Sequence, residues 1–179
     1  PCPWKCIFCP NDACMPKSYI NTEPGAMRAL LNHFDPYKQV YNRLLSLKIT
    51  WHDIDKIEMI VLGCSFDSYP NDYKINFIKW LYDACNTFDE FFQTVEMDEN
   101  SPKSAKFSVS DWFNIKYPMT LDESLKINED AKYKIIWLTI ETRADFVTDA
   151  NCQFRRKIWI TRIEMWVQSL YDDVLEANW

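Results

Sequence analysis

Three cysteines near the start of the chain are the residues best suited to do chemistry. Cys2, Cys6 and Cys9 have the spacing C-x3-C-x2-C. Three thiolates on one short loop can ligate three of the four irons of a 4Fe–4S cluster, which leaves the fourth iron open for a substrate or cofactor. The same loop would also suit a structural zinc site with Cys14 as the fourth thiolate. The spacing therefore predicts metal binding and favours the iron–sulfur cluster over zinc.

The distribution of cysteines argues against a disulfide-stabilised fold. The chain has seven cysteines, and four of them lie within the first fourteen residues. A secreted disulfide scaffold would distribute an even number through a small core. We therefore expect metal ligation in a reducing, cytoplasmic environment, with Cys85 and Cys152 as small core residues. Because no apolar run approaches the ~20 residues of a membrane span, we expect no membrane partner.

Charge is distributed unevenly along the chain. The net charge of −6 is a weak argument against a nucleic-acid partner. Residues 1–48, however, contain six basic and three acidic residues. A basic segment on an acidic body could contact a phosphate backbone. Lys17 and Arg28 are candidates for such contacts by charge and position, and a solvated role explains them equally well.

Strands and helices are predicted to alternate after an opening loop over residues 1–24. The periodicities and caps predict helices that begin near Met27, Pro36 and Pro70, one from Thr120 to about Ala131, and two more over 149–158 and 171–177. Strands are predicted over 57–62, 135–140 and 163–167. Residues 89–119 are predicted to be irregular. Such alternation indicates parallel βαβ units with active groups at the carboxyl ends of the strands. Three strands cannot close a barrel, so the predicted fold is α/β, a partial parallel (β/α) barrel incomplete at both ends.

Longer motifs resemble a known family. The cysteine spacing, with the aromatic Phe8 directly before the last cysteine, resembles the radical S-adenosylmethionine superfamily. Further stretches over essentially the whole chain resemble the catalytic subunit of Elongator and its bacterial relatives. They are CIFCPND (6–12), PKSY (16–19), EPGAMRA (23–29), FDPY (34–37), DKIE (55–58), LTIETR (138–143) and VQSLYDD (167–173).

The resemblance implies an activity and its cofactors. That family is a tRNA carboxymethyluridine synthase, in which a radical S-adenosylmethionine domain and an acetyltransferase domain place a carboxymethyl group on C5 of the wobble uridine. It implies a 4Fe–4S cluster, S-adenosylmethionine, acetyl-CoA and tRNA. Residues 1–179 would be a partial radical domain without the acetyltransferase, so we expect the isolated chain to be inactive. A radical enzyme with another substrate and a non-catalytic, zinc-stabilised interaction module are the alternatives.

The resemblance also implies site residues, although it assigns no catalytic side chain. Cys2, Cys6 and Cys9 would hold the cluster, and Lys17 and Arg28 become candidates for tRNA binding. The alternatives are a strand-end ion pair for Glu141 and Arg143 and an ordinary loop hydrogen bond for Gln168 and Ser169. Cys64 departs from the second glycine of the family's Gly-Gly-Thr motif. The residues expected to line the S-adenosylmethionine pocket are Phe8, Gly63, Cys64, Ser65, Glu141, Arg143, Gln168 and Ser169.

Tryptophan is abundant and glycine is scarce. The chain has eight tryptophans and two glycines, whereas glycine usage is ordinarily about 7%. Four tryptophans stand where the family has glycine: Trp51, Trp137, Trp159 and Trp166. Our hypothesis is that UGA codons read as glycine in the cell were translated conceptually as tryptophan. A diverged homologue with aromatic filling is the alternative. Trp80 is expected to be a genuine core residue, and Trp166 is expected to obstruct the cofactor pocket.

Overall fold

A parallel sheet of three strands forms the centre of the fold. The computed structural model describes residues 2–4, 6–13, 15–63, 66–89 and 120–178. Its strands are β1 (Lys56–Val61), β2 (Lys134–Arg143) and β3 (Arg162–Trp166), in the order β1-β2-β3. Both strand pairs are parallel. The predicted α/β alternation is confirmed, and the described strands form an open sheet. The excursion over 89–119, apart from Asp89, lies outside the described residues.

Helices begin where the sequence supplies caps. Asp35 accepts a hydrogen bond from the Lys38 amide at the start of α2, and Thr120 and Glu123 form the predicted capping box. Within the described ranges, no helix is long and apolar enough to cross a bilayer. The helices are α1 (Pro24–Leu31), α2 (Pro36–Ile49), α3 (Asn71–Asn86), α4 (Leu121–Asp130), α5 (Asp149–Lys157) and α6 (Asp172–Glu176).

Helices cover one face of the sheet. In β1, Ile57 and Val61 pack into the core, whereas Ile60 between them is exposed. This alternation is expected because successive side chains of a strand point to opposite faces. Helices α3 and α4 both contact β2, and α2 packs on α3. The fully buried side chains of this core include Tyr41, Ile78, Phe88, Leu138 and Ile140.

Helices α2 and α5 end in the same left-handed motif, as α1 does at His33. Helix α2 is followed by Trp51 with φ of +64°, and α5 is followed by Trp159 with φ of +60°. Each tryptophan occupies the position that is usually glycine in a Schellman motif, because a side chain is strained there. The hydrogen bonds that define the two motifs are Trp51 N to Lys48 O (3.1 Å), His52 N to Leu47 O (3.0 Å), Trp159 N to Arg156 O (3.1 Å) and Ile160 N to Arg155 O (3.0 Å).

A buried ion pair ties α5 to the segment that follows β1. The Arg155 guanidinium donates to both carboxylate oxygens of Asp67, at 2.6 and 3.2 Å. The Thr142 hydroxyl, near the end of β2, donates to the same carboxylate. Arg155 is only 2% exposed. Because the pair is bidentate and shielded from water, it holds these elements together at the carboxyl edge of the sheet.

Removing one partner of this pair should be costly. We expect Arg155→Ala to lower the free energy of unfolding by about 3–5 kcal/mol, because the Asp67 carboxylate would stay buried without its bidentate partner. Arg156→Ala, at the exposed neighbouring position on the same helix, is the control and should change it by less than about 0.5 kcal/mol. Urea titration of both variants measures the difference. Equal losses would contradict the role given to the ion pair.

Candidate functional site

The loop that carries the cysteines lies against the carboxyl edge of the sheet. We call residues 2–23, which precede α1, the cysteine loop. The Arg143 guanidinium, at the end of β2, donates to the Cys6 sulfur at 3.0 Å. The Tyr19 hydroxyl donates to Glu141 Oε2 at 2.9 Å. The structure therefore brings Cys6, one of the predicted metal ligands, to the end of the sheet where α/β proteins place their chemistry.

The three cysteines are free thiols with different surroundings. Cys6 is buried, whereas Cys2 and Cys9 are half-buried, and the Cys9 sulfur lies 3.2 Å from the Ser18 hydroxyl. Among the described residues, no three of the Cys, His, Asp and Glu side chains converge as a metal ion would require. The donor set still fits a cluster in its chemistry. It supplies three thiols that form no disulfide on one loop, and one of them accepts from a guanidinium as a thiolate ligand does.

The other cysteines differ in accessibility. Cys85 is 1% exposed, and burial raises the pKa of its thiol, so it is an inert core residue as predicted. Cys152, on α5, is half-buried and is less enclosed than predicted. Cys14, the fourth ligand of the zinc alternative, lies outside the described residues.

Glu141 joins the cysteine loop to two strand ends. Its Oε2 atom accepts hydrogen bonds from the Tyr19 hydroxyl and from the Gly63 amide, each at 2.9 Å. Gly63 follows β1 and has φ of +130°, in the region that favours glycine. The Glu141 carboxylate thus holds the backbone at the end of β1. The other two members of that predicted stretch, Cys64 and Ser65, lie outside the described residues.

Arg143 contacts Cys6, Asp145 and Trp4 among the described residues. In addition to the Cys6 sulfur, the guanidinium donates through Nε to Asp145 Oδ1 at 3.0 Å and lies 4.6 Å from the centre of the Trp4 ring. The ion pair described at this strand end joins Arg143 to Asp145. Arg143 is 5% exposed, so its cation is buried beside the cysteine loop.

The remaining predicted site residues have mixed surroundings. Phe8 is exposed on the cysteine loop. Gln168, after β3, has φ of +72°, and the Ser169 hydroxyl accepts from the Tyr171 amide at 3.1 Å, which is the loop hydrogen bond of the alternative. Lys17 is half-buried and its ammonium donates to the Trp4 carbonyl, whereas Arg28 is exposed on α1. The cofactor and tRNA roles of these residues stay predictions.

Two residues at the site were given no role by the sequence. Tyr19 lies within the PKSY motif, which contributed to the family resemblance but did not predict the contact with Glu141. Asn178 is 2% exposed and bonds to the cysteine loop from beyond α6. Its contacts join residues 171 positions apart, so no local pattern could have indicated them.

The fold and the site define a class: a parallel α/β protein with a three-cysteine loop at the carboxyl edge of its sheet. No family model matches the chain. Curated relatives do match it. A protein named tRNA uridine(34) acetyltransferase from Methanocaldococcus infernus is 35% identical over 177 residues, which cover 96% of this chain and 28% of that protein. Elongator complex protein 3 from Saccharomyces cerevisiae is 30% identical, over 94% of this chain and 26% of that protein.

A solved structure agrees with these relatives. The archaeal Methanocaldococcus infernus Elp3 with an N-terminal deletion superposes with a TM-score of 0.62 and 32% identity, over 83% of this chain and 28% of that one. The chain is thus homologous to tRNA uridine(34) acetyltransferase and Elongator complex protein 3, which confirms the resemblance read from the sequence. It spans little more than a quarter of the length of these relatives.

Proposed function

We propose that the chain is the radical S-adenosylmethionine part of an enzyme that modifies the wobble uridine of tRNA. The observation that carries the proposal is the position of the cysteine loop, with Cys6 against Arg143 at the carboxyl edge of the sheet. The support for the substrate is the name of the relative that is 35% identical, tRNA uridine(34) acetyltransferase. In the complete protein the product would be carboxymethyluridine, with acetyl-CoA as the source of the added group.

The proposal gives each part of the site a role. Cys2, Cys6 and Cys9 would hold a 4Fe–4S cluster, which when bound would supply the electron that cleaves S-adenosylmethionine. Arg143 donates an N–H to the Cys6 sulfur, and Glu141 accepts a hydrogen bond from the Gly63 amide and so fixes the backbone there. The residues proposed to line the cofactor pocket are Phe8, Gly63, Cys64, Ser65, Glu141, Arg143, Gln168 and Ser169.

The basic segment is the part of the chain proposed to contact tRNA. Arg28 is exposed on α1 and is free to approach a phosphate. The Lys17 ammonium already has a carbonyl acceptor on Trp4, so its contact with tRNA would have to share or replace that hydrogen bond. Of the two candidates, Arg28 is therefore the better placed.

Anaerobic reconstitution tests the proposal. We expect the chain to take up about four irons and four sulfides and, after reduction, to give an electron paramagnetic resonance signal that changes when S-adenosylmethionine is added. Alanine at Cys2, Cys6 or Cys9 should abolish this uptake. Cys152→Ala is the matched control, because that thiol is also half-buried but lies on α5, and it should leave uptake unchanged.

Other outcomes of this experiment decide between the alternatives. A colourless protein with one zinc per chain would overturn the proposal in favour of an interaction module. A cluster that responds to S-adenosylmethionine in a protein that binds no tRNA would support a radical enzyme with another substrate. Filter binding with a complete tRNA transcript separates that case from the proposed one.

A further inference from the structure

Asn178 connects the far end of the described chain to the cysteine loop. Its side-chain oxygen accepts the Ile7 amide hydrogen at 3.0 Å, and its own carbonyl oxygen lies 3.7 Å from the Cys6 sulfur. Its side-chain nitrogen donates to the Val174 carbonyl at 2.6 Å, which fixes the amide on α6. Asn178 is 2% exposed. One buried side chain thus holds the loop and the last helix together.

The contact falls at Cys6, which is the buried residue among the described residues of the loop tip, 6–9. Cys6 is 7% exposed, whereas Ile7 and Phe8, directly after it, are 64% and 55% exposed. The chain turns here, with the Cys9 amide donating to the Cys6 carbonyl at 3.3 Å. With Ile7 and Phe8 facing outwards, the tip has little apolar packing of its own. Its position therefore depends on the few polar contacts that reach it.

We propose that Asn178 is a positioning residue for the cysteine loop. It fixes the Cys6–Ile7 peptide so that the Cys6 sulfur stays enclosed beside Arg143. Its significance for metal binding rests on the proposed function, but its effect on the enclosure of Cys6 does not. Residues that orient metal ligands through hydrogen bonds typically contribute about 10–100-fold to metal affinity. We expect a loss of that size when the Asn178 amide is removed.

Asn128 provides a matched control. It is also a buried asparagine, 4% exposed, whose side-chain oxygen accepts the Ile135 amide at 2.9 Å and whose nitrogen donates to the Tyr133 carbonyl at 3.0 Å. These contacts lie between α4 and the start of β2, away from the cysteine loop. Asn128→Ala and Asn178→Ala should therefore cost comparable stability, and only the second should release the loop.

The experiment has two readouts on the whole chain. In the metal-free protein, iodoacetamide labelling followed by mass spectrometry should show Cys6 reacting more slowly than Cys2 and Cys9. Asn178→Ala should remove that difference, and Asn128→Ala should preserve it. In the reconstituted protein, Asn178→Ala should release iron to a chelator about 10–100-fold faster. Asn178→Asp keeps an acceptor for the Ile7 amide and should retain most of the protection of Cys6.

The labelling and reconstitution results separate failure of the positioning role from failure of the proposed function. If Asn178→Ala and Asn128→Ala expose Cys6 equally, or if Asn178→Asp exposes it as much as Asn178→Ala, the positioning role is wrong. If the parent protein takes up no iron and sulfide, the proposed function fails, and the labelling experiment still decides whether Asn178 holds the loop.

Discussion

Replacing Trp51 and Trp159 by glycine should stabilise the protein, although most replacements of tryptophan by glycine destabilise. Both residues have left-handed backbone, with φ of +64° and +60°. That conformation costs a residue with a side chain about 1–2 kcal/mol, a cost that glycine avoids. Little packing opposes the gain at Trp51, which is 96% exposed, whereas Trp159 is 50% exposed and loses packing that offsets its gain. We expect Trp51→Gly to raise the free energy of unfolding by about 1 kcal/mol in urea titrations, and Trp159→Gly to give a smaller gain.

Trp80 is the control for this comparison. It lies inside α3 and is 42% exposed, so the expectation that it is a core residue is wrong. Because its backbone is helical, glycine there should lower the free energy of unfolding by at least about 1 kcal/mol. A loss of stability in Trp51→Gly as large as that in Trp80→Gly would refute the argument from backbone conformation.

The left-handed backbone at two of the tryptophans is also relevant to the hypothesis that some tryptophans are encoded by UGA codons read as glycine in the cell. Trp51 and Trp159 occupy positions that glycine favours on physical grounds, independently of any family pattern. Trp137 lies beside the irregular register between β1 and β2, another place where glycine is common. Trp166 lies in a regular strand, and its backbone shows no feature that favours glycine. The codons at these four positions decide the matter, since UGG at all of them would end the hypothesis.

Replacing Trp166 by glycine should give the largest gain in activity. Trp166 is the last residue of β3, pairs in register with Arg143 and is 51% exposed. Its indole therefore lies at the strand end beside the residue that contacts Cys6. If the proposed function is right, a bulky side chain there displaces the cofactor, and displacement by about 1 Å can cost about 100-fold in rate. We expect Trp166→Gly to release 5′-deoxyadenosine about 10–100-fold faster than the parent after reconstitution and reduction.

Trp137→Gly distinguishes pocket obstruction from a general effect of removing indoles. Trp137 lies in the first half of β2, where the Arg162 guanidinium stacks on its ring at 4.0 Å, and it is well before Glu141 and Arg143. Its replacement should leave 5′-deoxyadenosine release unchanged. Equal release from the parent and from Trp166→Gly, measured by chromatography, would show that Trp166 does not obstruct the pocket.

The local parts of the fold could be predicted from the sequence. Caps such as Asp35 and Thr120 have short-range partners, so their helices begin where predicted. The second strand was predicted over 135–140, but β2 continues to Arg143. The reason is tertiary, because Glu141 and Arg143 pair with β3. These two residues are therefore part of the strand and not of the loop after it.

The contacts that build the site could not be predicted in this way. Tyr19 and Glu141 are 122 positions apart, and their hydrogen bond depends on how the loop meets the sheet. Charge indicated Lys17 as a surface contact, whereas its ammonium bonds to the Trp4 carbonyl within the loop. The types and spacing of the cysteines predict metal binding, but the residues that contact them are distant in sequence and are brought close only by folding.

The contact between Cys6 and Asn178 also joins residues that the ribosome makes at different times. The two residues are 172 positions apart, and a ribosome adds about 5–20 residues per second, so roughly 10–30 s separate their synthesis. During that interval the nascent thiols have been made and the asparagine that encloses Cys6 has not. Cys6 is therefore open to oxidants and to stray metal ions during that interval, and its enclosure by Asn178 begins only when α6 docks.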